Sequence, residues 1–276
     1  MSRDTAKPSR SPFAFATALW KNRELLWQFT LRNVELRHKG SHLGLIWSFL
    51  NPLLMLGLYV LVLGYIFGGR FGVLPSETKA DYGLGIFLGL VVFNFVSEVL
   101  GISPSLIIAN PNFVKKVVFP LEILPTATVG GALFHMLVSL GLLLLSLLLF
   151  AHNPGWGIFW LPIIFLPVIL LSLGLSWFIS ALGVFFRDVG QVMPFVTTAL
   201  MWASGVFYSA QKYPAAWVYL RFNPILLAIE LARDAVLWHR PLSSTHLTYL
   251  YATSAVVCYL GYTVFRRLKP AFADVL

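Results

Sequence analysis

Long apolar runs separated by short polar breaks dominate the chain. A helix needs about 20 apolar residues to cross a hydrocarbon core of about 30 Å. Six runs reach that length, at about 43–67, 82–109, 121–150, 158–184, 190–209 and 247–265. Turn or charge signals such as Gly68-Gly69-Arg70 and Asn110-Pro111-Asn112 interrupt them. The pattern predicts an all-α integral membrane protein, with a six-span transmembrane domain over 43–276 and a cytosolic N-terminal segment over 1–42.

Residues 20–39, ahead of the first span, have an amphipathic pattern. At about 100° per residue, Trp20, Trp27, Leu31 and Val34 share one narrow arc. Polar side chains lie a quarter turn or more away, namely Lys21, Glu24, Gln28, Arg32, Glu35 and Lys39. This pattern predicts an interfacial helix that lies in the membrane surface. The alternative is an anchor helix that only orients the first span.

The connection from about 210 to 246 contains two apolar pieces that are too short to span. They cover 215–222 and 224–238, and Asn223-Pro224 separates them. Because proline suits the first turn of a helix, the pattern predicts two helices joined by a break. A re-entrant pair at about 213–239 fits this pattern, and a pair of helices lying flat on the external surface fits it equally well.

The positions of the basic residues predict that both termini are cytosolic. Short cytoplasmic segments retain Lys and Arg, whereas translocated segments tend to lack them. With six spans and the N-terminus inside, the cytosolic segments hold Arg3, Lys7, Arg10, Lys21, Arg23, Arg32, Arg37, Lys39, Lys115, Lys116, Arg187, Arg266, Arg267 and Lys269. The other six basic residues are Arg70, Lys79, Lys212, Arg221, Arg233 and Arg240.

Composition supports the membrane class and narrows the chemistry. The chain is 58% hydrophobic and 11% charged, with a mean hydropathy of +0.79, which is too apolar for a soluble domain of this size. The net charge of +9 therefore reflects membrane orientation, and we expect no nucleic-acid binding. Cys258 is the single cysteine, which excludes an intrachain disulfide and a CxxC metal site.

Few residues suggest chemistry of their own. The sequence lacks the Gly-rich loop ending in Lys-Ser/Thr that cradles ATP phosphates, so we expect no ATPase site and no enzyme activity. The scattered histidines predict no metal site. Ionisable groups at mid-membrane are costly and often functional, and Glu98 and His135 are the candidates here. They are expected to pair with each other, or Glu98 faces water in a pore; a structural contact between helices is the simpler alternative.

Aromatic residues make up 15% of the chain. Most are expected in interfacial belts, but several lie deeper at helical spacing. An aromatic-lined pore would suit a passing glycan, because aromatic faces stack against the C–H faces of sugars. The candidates for lining a substrate channel are Trp47, Tyr59, Phe93, Phe195, Trp202 and Tyr208. For any one of them, lipid-facing or core packing is the alternative.

Several short motifs together resemble the membrane subunit of type-2 polysaccharide ABC exporters. They are Leu31-Arg32-Asn33, the segment from Ser41 to Trp47 leading into Asn51-Pro52, Asn110-Pro111 with Lys115-Lys116 and Pro120-Leu121-Glu122, Phe186-Arg187-Asp188-Val189, and Asn223-Pro224. Each motif is loose. Their order and spacing over nearly the whole chain carry the resemblance.

The resemblance implies a permease of the inner membrane that works as a homodimer with two copies of a separate ATPase subunit, which binds ATP and Mg. Its substrate would be a lipid-linked glycan. By this resemblance, the ATPase would contact Glu24, Gln28, Lys115, Lys116, Phe119 and Glu122. The anionic pyrophosphate of the lipid would enter beside Arg32, Arg37, Lys39, Leu43 and Gly44. Positive-inside anchoring is the alternative role of these basic residues.

The sequence therefore favours the transmembrane subunit of an ABC exporter of lipid-linked, O-antigen-like polysaccharide. Capsular polysaccharide, teichoic acid, or a small drug or lipid are alternative cargoes for the same architecture. A membrane enzyme that acts on lipid-linked sugars is the alternative of another class. Its acidic residues would be Glu230 and Asp234, whose proximity to Arg233 predicts salt bridging instead.

Overall fold

The protein is predominantly helical in the part that the computed structural model describes, which covers residues 14–73, 77–115, 119–149 and 155–276. Its helices are α1 (Ala14–Lys21), α2 (Arg23–His38), α3 (Trp47–Tyr59), α4 (Lys79–Ile102), α5 (Pro111–Lys115), α6 (Ile123–Leu149), α7 (Leu161–Phe185), α8 (Val189–Ala203), α9 (Pro214–Leu220), α10 (Pro224–Val236), α11 (Ser244–Leu268) and α12 (Phe272–Val275). Short 3-10 segments precede α3 and α7 and follow α4 and α11. The predicted all-α membrane class is confirmed.

Five helical segments of the described chain are long and apolar enough to cross a membrane, or up to six if a bent helix pair is one span. The five are Gly44–Ile66, Lys79–Ser105, Ile123–Leu149, Gly155–Phe185 and Ser244–Val275. The segment predicted as a fifth span, 190–209, is instead the 15-residue α8, which is about 22 Å long at about 1.5 Å per residue. A turn at Ser204 and Gly205 ends it early.

Helix α4 is the centre of the bundle. In its most apolar window 72% of the residues are buried, against 6% for the segment that contains α3. Helices α3, α6, α7, α8 and α10 all pack against it. By contrast, α8 has no buried residue and α3 buries only Ser48. These two helices therefore present apolar faces that the described chain does not cover.

The predicted interfacial helix is divided into α1 and α2 at Asn22. Helix α2 packs along α6, and the fit is close because Gly130 has no side chain: an added Cβ would lie 2.7 Å from Oγ1 of Thr30. Trp20 and Trp27 are 74% and 63% exposed. These two tryptophans of the predicted arc thus face away from the bundle, whereas Val34 of the same arc is buried.

Both terminal regions of the described chain lie at one end of the bundle. Phe15 of α1 packs edge-on against Trp177, with ring centroids 5.9 Å apart. Phe272 of α12 is buried against Phe185 and Phe265. We call the end that holds α1, α2, α5 and α12 the α2 end. Helices α9 and α10 lie at the other end, beside the beginning of α4.

The first long segment changes its winding partway along. Helix α3 continues without a break into a π-helix over Val60–Ile66. A π-helix hydrogen-bonds to the fifth residue rather than the fourth and is rare outside single turns. In this stretch Gly64 packs against Tyr82 of α4. The two parts of this segment, Trp47–Tyr59 and Val60–Ile66, therefore have different numbers of residues per turn.

Helices α9 and α10 form the bent pair that the Asn223-Pro224 break predicts. Their axes differ by 115°. Pro224 occupies the first turn of α10, and the Asn223 side chain accepts a hydrogen bond of 3.0 Å from the backbone N–H of Ile225. The bend is thus a capped helix start. Nearly all of α10 is buried.

A buried arginine fixes α10 in place. The guanidinium of Arg233 donates to the backbone carbonyls of Gly85 at 2.9 Å, Gly205 at 2.8 Å and Val206 at 2.5 Å. It also lies over the ring of Phe71, 4.3 Å from the centroid. The predicted salt bridge with Glu230 or Asp234 is replaced by these bonds, because the planar fork of arginine can serve several carbonyls at once. They join α10 to α4 and to the turn after α8.

Replacing Arg233 with methionine should lower stability by at least about 3 kcal/mol, because buried carbonyl groups lose their donors. Thermal unfolding of the purified protein in one detergent measures the effect. Arg221→Met, in the exposed turn after α9, should change stability by no more than about 0.5 kcal/mol. Equal shifts for the two variants contradict the role of Arg233.

Candidate functional site

Three helices each direct one stripe of residues into a common cavity of about 320 Å³ near the α2 end. Helix α3 contributes Ser48, Asn51, Pro52 and Met55, α4 contributes Phe87, Leu90, Val91, Asn94, Phe95, Ser97 and Glu98, and α6 contributes Ala132, His135, Met136 and Ser139. Residues three, four and seven apart lie on one helix face. Arg37 and Trp47 complete the lining.

The polar side chains of α4 are concentrated on this cavity. From Tyr82 to Val96 every residue of α4 is buried except Asn94, which is exposed. Ser97 and Glu98 follow it at the spacing that places all three on one face, and both are partly exposed. A polar side chain on a membrane helix is stable only if it faces protein or water. The cavity provides that environment.

One wall of the cavity is a cluster of three ionisable side chains from three helices. Arg37 of α2 forms an ion pair with Glu98 of α4. The Nδ1 atom of His135, on α6, lies 2.9 Å from Oε1 of Glu98 and 2.9 Å from the Arg37 guanidinium. The predicted Glu98–His135 pair is therefore present, and both of its members also face the cavity. Arg37 is the addition that the sequence did not suggest.

The charges of the cavity lining nearly cancel. Among the described residues that line it, Arg37 is the only permanently cationic one and Glu98 the only carboxylate, and the two are paired. Of the residues predicted to meet a pyrophosphate, Arg37 is thus already neutralised within the chain. Arg32 and Lys39 are exposed at the α2 end, and Leu43 and Gly44 follow them in an exposed or half-exposed turn.

Residues predicted to contact an ATPase subunit lie on α2 and around α5, and these two parts of the chain touch each other. Phe113 of α5 stacks on Phe119, with centroids 4.6 Å apart, and both rings pack against Phe29 of α2. We call this group the phenylalanine cluster. It joins α2, α5 and Phe119 into one surface.

The predicted contact residues differ in how far they are free to bind a partner. Glu24, Gln28 and Lys115 are exposed. Glu122 points inward and accepts a hydrogen bond of 2.8 Å from Nζ of Lys269, while its backbone carbonyl accepts one of 3.2 Å from Trp177. Glu122 thus ties the loop to the C-terminal end of α11. Lys116 lies outside the described residues.

The aromatic channel candidates fall into three environments. Trp47 lines the cavity, whereas Phe93 is buried in the core. Phe195 and Trp202 are 75% and 55% exposed on α8. Tyr59 and Tyr208 belong to an aromatic group around Phe207, which also contacts Trp202.

Sequence reasoning missed the amides and hydroxyls of the cavity, namely Ser48, Asn51, Asn94, Ser97 and Ser139. A signal for some of them was present. Asn94, Ser97 and Glu98 interrupt an apolar run at helical spacing, and so do Ser48 and Asn51. Their convergence on one cavity depends on how the three helices pack, which no local pattern contains.

Comparisons with known proteins cover almost all of this structure. Residues 24–237 match the family described as ABC-2 type transporter. The chain is 27% identical over 259 residues to the O-antigen export system permease protein RfbA of Myxococcus xanthus, covering 93% of this chain and 96% of that protein. It is 26% identical to a Klebsiella pneumoniae protein of the same name, covering 92% of this chain and 95% of that protein.

A further relative carries a different name. The chain is 25% identical over 245 residues to the polysialic acid transport protein KpsM of Escherichia coli, with 87% of this chain and 92% of that protein covered. The family match extends from the interfacial helix α2 to the end of α10. The resemblance inferred from the short motifs is thus confirmed. On this match, the chain belongs to the ABC-2 type transporter family.

Proposed function

We propose that this protein is the membrane subunit of an ABC exporter that moves a lipid-linked polysaccharide, of the O-antigen kind, outward across the inner membrane. The observation that carries this proposal is the near full-length similarity to relatives named as O-antigen export and polysialic acid transport proteins. A separate ATPase subunit supplies the energy, with ATP and Mg bound there. Both termini are cytosolic in this arrangement, so the α2 end is the cytosolic end.

The surface around the phenylalanine cluster is the proposed docking site for the ATPase subunit. It combines exposed charged and polar side chains, Glu24, Gln28 and Lys115, with a rigid aromatic base. Because α2 also reaches the cavity through Arg37, a movement of the docked ATPase is transmitted to α4 and α6. Coupling of this kind needs a contiguous packed element, which α2 supplies.

The membrane-enzyme alternative needs both Glu230 and Asp234 to be accessible, and only Asp234 is partly exposed. Glu230 is 3% exposed and its carboxylate accepts a hydrogen bond of 3.3 Å from the backbone N–H of Ala210. This side chain thus supports the start of the 3-10 segment Ala210–Lys212. A small drug or lipid stays the alternative cargo for the same fold. The polar lining of the cavity favours a hydroxylated substrate over an apolar one.

The homodimer is proposed to form through the uncovered faces of α3 and α8. Both helices expose large apolar side chains, both pack on α4, and their aromatic residues meet around Phe207. Pairing two copies across these faces would place Trp47, Phe195 and Trp202 along a shared passage. The channel candidates would then line it from both copies.

Reconstitution tests the exporter function directly. The purified chain alone should hydrolyse no ATP, and vesicles that hold the chain with its ATPase subunit should move lipid-linked glycan only when ATP is present. Translocation is measured as the fraction of glycan accessible to a glycosidase on the far side. Appreciable ATP turnover by the chain without any ATPase subunit contradicts the proposal.

Lys115→Glu should weaken the association with the ATPase subunit by about tenfold, since the reversed charge would repel groups of the ATPase that face Lys115 in the docking surface. The dissociation constant of the complex, measured by surface plasmon resonance, reports the effect. Arg221→Glu makes the same charge change at the opposite end of the bundle and serves as the control. If both variants bind the ATPase equally well, the docking surface is misplaced.

A cysteine placed at Phe195 in a Cys258→Ser background should cross-link two copies when a bismaleimide is added to membranes. Val256 is similarly exposed, on α11, and a cysteine there should stay monomeric because α11 lies outside the proposed interface. Denaturing gels show the outcome. Cross-linking at 256 but not at 195 rules out the α8 face.

A further inference from the structure

We infer that the cavity between α3, α4 and α6 is a binding site for one neutral sugar residue of the glycan, next to the diphosphate of its lipid carrier. This inference rests on the proposed function and adds the part of the substrate that the membrane subunit itself recognises. It assigns Asn51, Asn94 and Ser139 as sugar-binding residues.

The chemistry of the lining distinguishes a sugar from a diphosphate. A diphosphate only accepts hydrogen bonds and requires a surplus of positive charge. The cavity offers one guanidinium, already paired with Glu98, so it lacks that surplus. A sugar hydroxyl both donates and accepts. It therefore suits a lining that mixes a carboxylate, two amides and several hydroxyl groups.

The amides are held where a ligand can reach them. Asn94 is the exposed position of an otherwise buried stretch of α4, and Asn51 is exposed on the facing side of α3. Each amide carries an acceptor oxygen and two donor hydrogens. Glu98 keeps unused acceptor capacity, since a carboxylate offers about four lone-pair sites and Arg37 and His135 occupy only part of them.

The lining of the cavity also includes apolar side chains, among them Trp47, Met55, Phe87 and Leu90. Aromatic and aliphatic side chains pack against the C–H faces of a sugar ring, so a lining that combines polar and apolar groups matches the two kinds of surface on the ring. A volume of about 320 Å³ falls at the small end of ligand pockets, which suits one ring rather than an oligosaccharide.

The position of the cavity suggests which sugar it takes. Arg37 lines the cavity, whereas the exposed Arg32 and Lys39 lie on another face of α2 and just beyond its end. A diphosphate held at this end of the bundle by exposed basic residues leaves the first sugar as the one nearest to the cavity. The proposal therefore assigns the cavity to the sugar that follows the diphosphate.

Two probes that differ in a single sugar test this site. One is a polyprenyl diphosphate that carries one N-acetylglucosamine residue, and the other is the same lipid without the sugar. Binding is measured with the complete transporter, including its ATPase subunit, in lipid nanodiscs free of glycoside detergent. The wild type should bind the sugar-bearing lipid about tenfold more tightly than the bare lipid.

Asn94→Leu should reduce this preference to less than about threefold and leave the affinity for the bare lipid unchanged. Ser139→Ala should lower the affinity for the sugar-bearing lipid by about threefold, because it removes one neutral hydrogen bond. Ser146→Ala, two turns along the same helix and outside the cavity, should have no effect. Asn51→Leu, which removes the amide on α3, should also weaken binding of the sugar-bearing lipid alone.

Several outcomes overturn the inference. Equal wild-type affinity for the two lipids, together with ATP hydrolysis that a full lipid-linked glycan stimulates, rejects the sugar site and leaves the exporter function standing. A sugar preference that persists in both Asn94→Leu and Asn51→Leu places the site elsewhere. If the wild type binds neither lipid and a lipid-linked glycan leaves ATP hydrolysis unchanged, the proposed function itself fails.

Discussion

The hydrogen bonds of Arg233 are the interaction on which the rest of this architecture depends. A backbone carbonyl inside hydrocarbon must find a donor in the protein, because the lipid offers none. Helix α8 ends after about 22 Å, and the turn that follows leaves the carbonyls of Gly205 and Val206 to be satisfied. The guanidinium meets both and also reaches Gly85 on α4. The short helix and the bent pair are thus one structural unit.

The same requirement organises the opposite end of the bundle. There the polar groups of α3, α4 and α6 turn toward a shared cavity, and the charge of Glu98 is compensated by Arg37 from the interfacial helix. The helix that is proposed to dock the ATPase is therefore the helix that completes the cavity wall. On this proposal the ATPase contact and a wall of the proposed sugar site share one helix, which would shorten the path from ATP hydrolysis to the glycan.

Local patterns in the sequence predict where the helices lie but not which helices pack against each other. The break at Asn223-Pro224 could be predicted because a proline after an asparagine cap is a property of neighbouring residues. The pairing of Arg37 with Glu98 joins positions far apart in the chain, and both side chains also suit a charged helix surface. The end of α8 escaped prediction for a related reason: apolar residues continue past Ala203, and the turn there is stabilised from α10.

The π-helical stretch in the first long segment changes the rotational register between the residues before it and those after it. A regular α-helix would keep the two in a fixed register. Inserting or deleting one residue in an α-helix rotates everything beyond it by about 100°. Residues 60–66 already carry the wider winding, so a deletion there can relax into α-helix. The stripe of Ser48 and Asn51 lies before this stretch and keeps its orientation. A change of length beyond Tyr59 can therefore leave the polar stripe that faces the cavity in register.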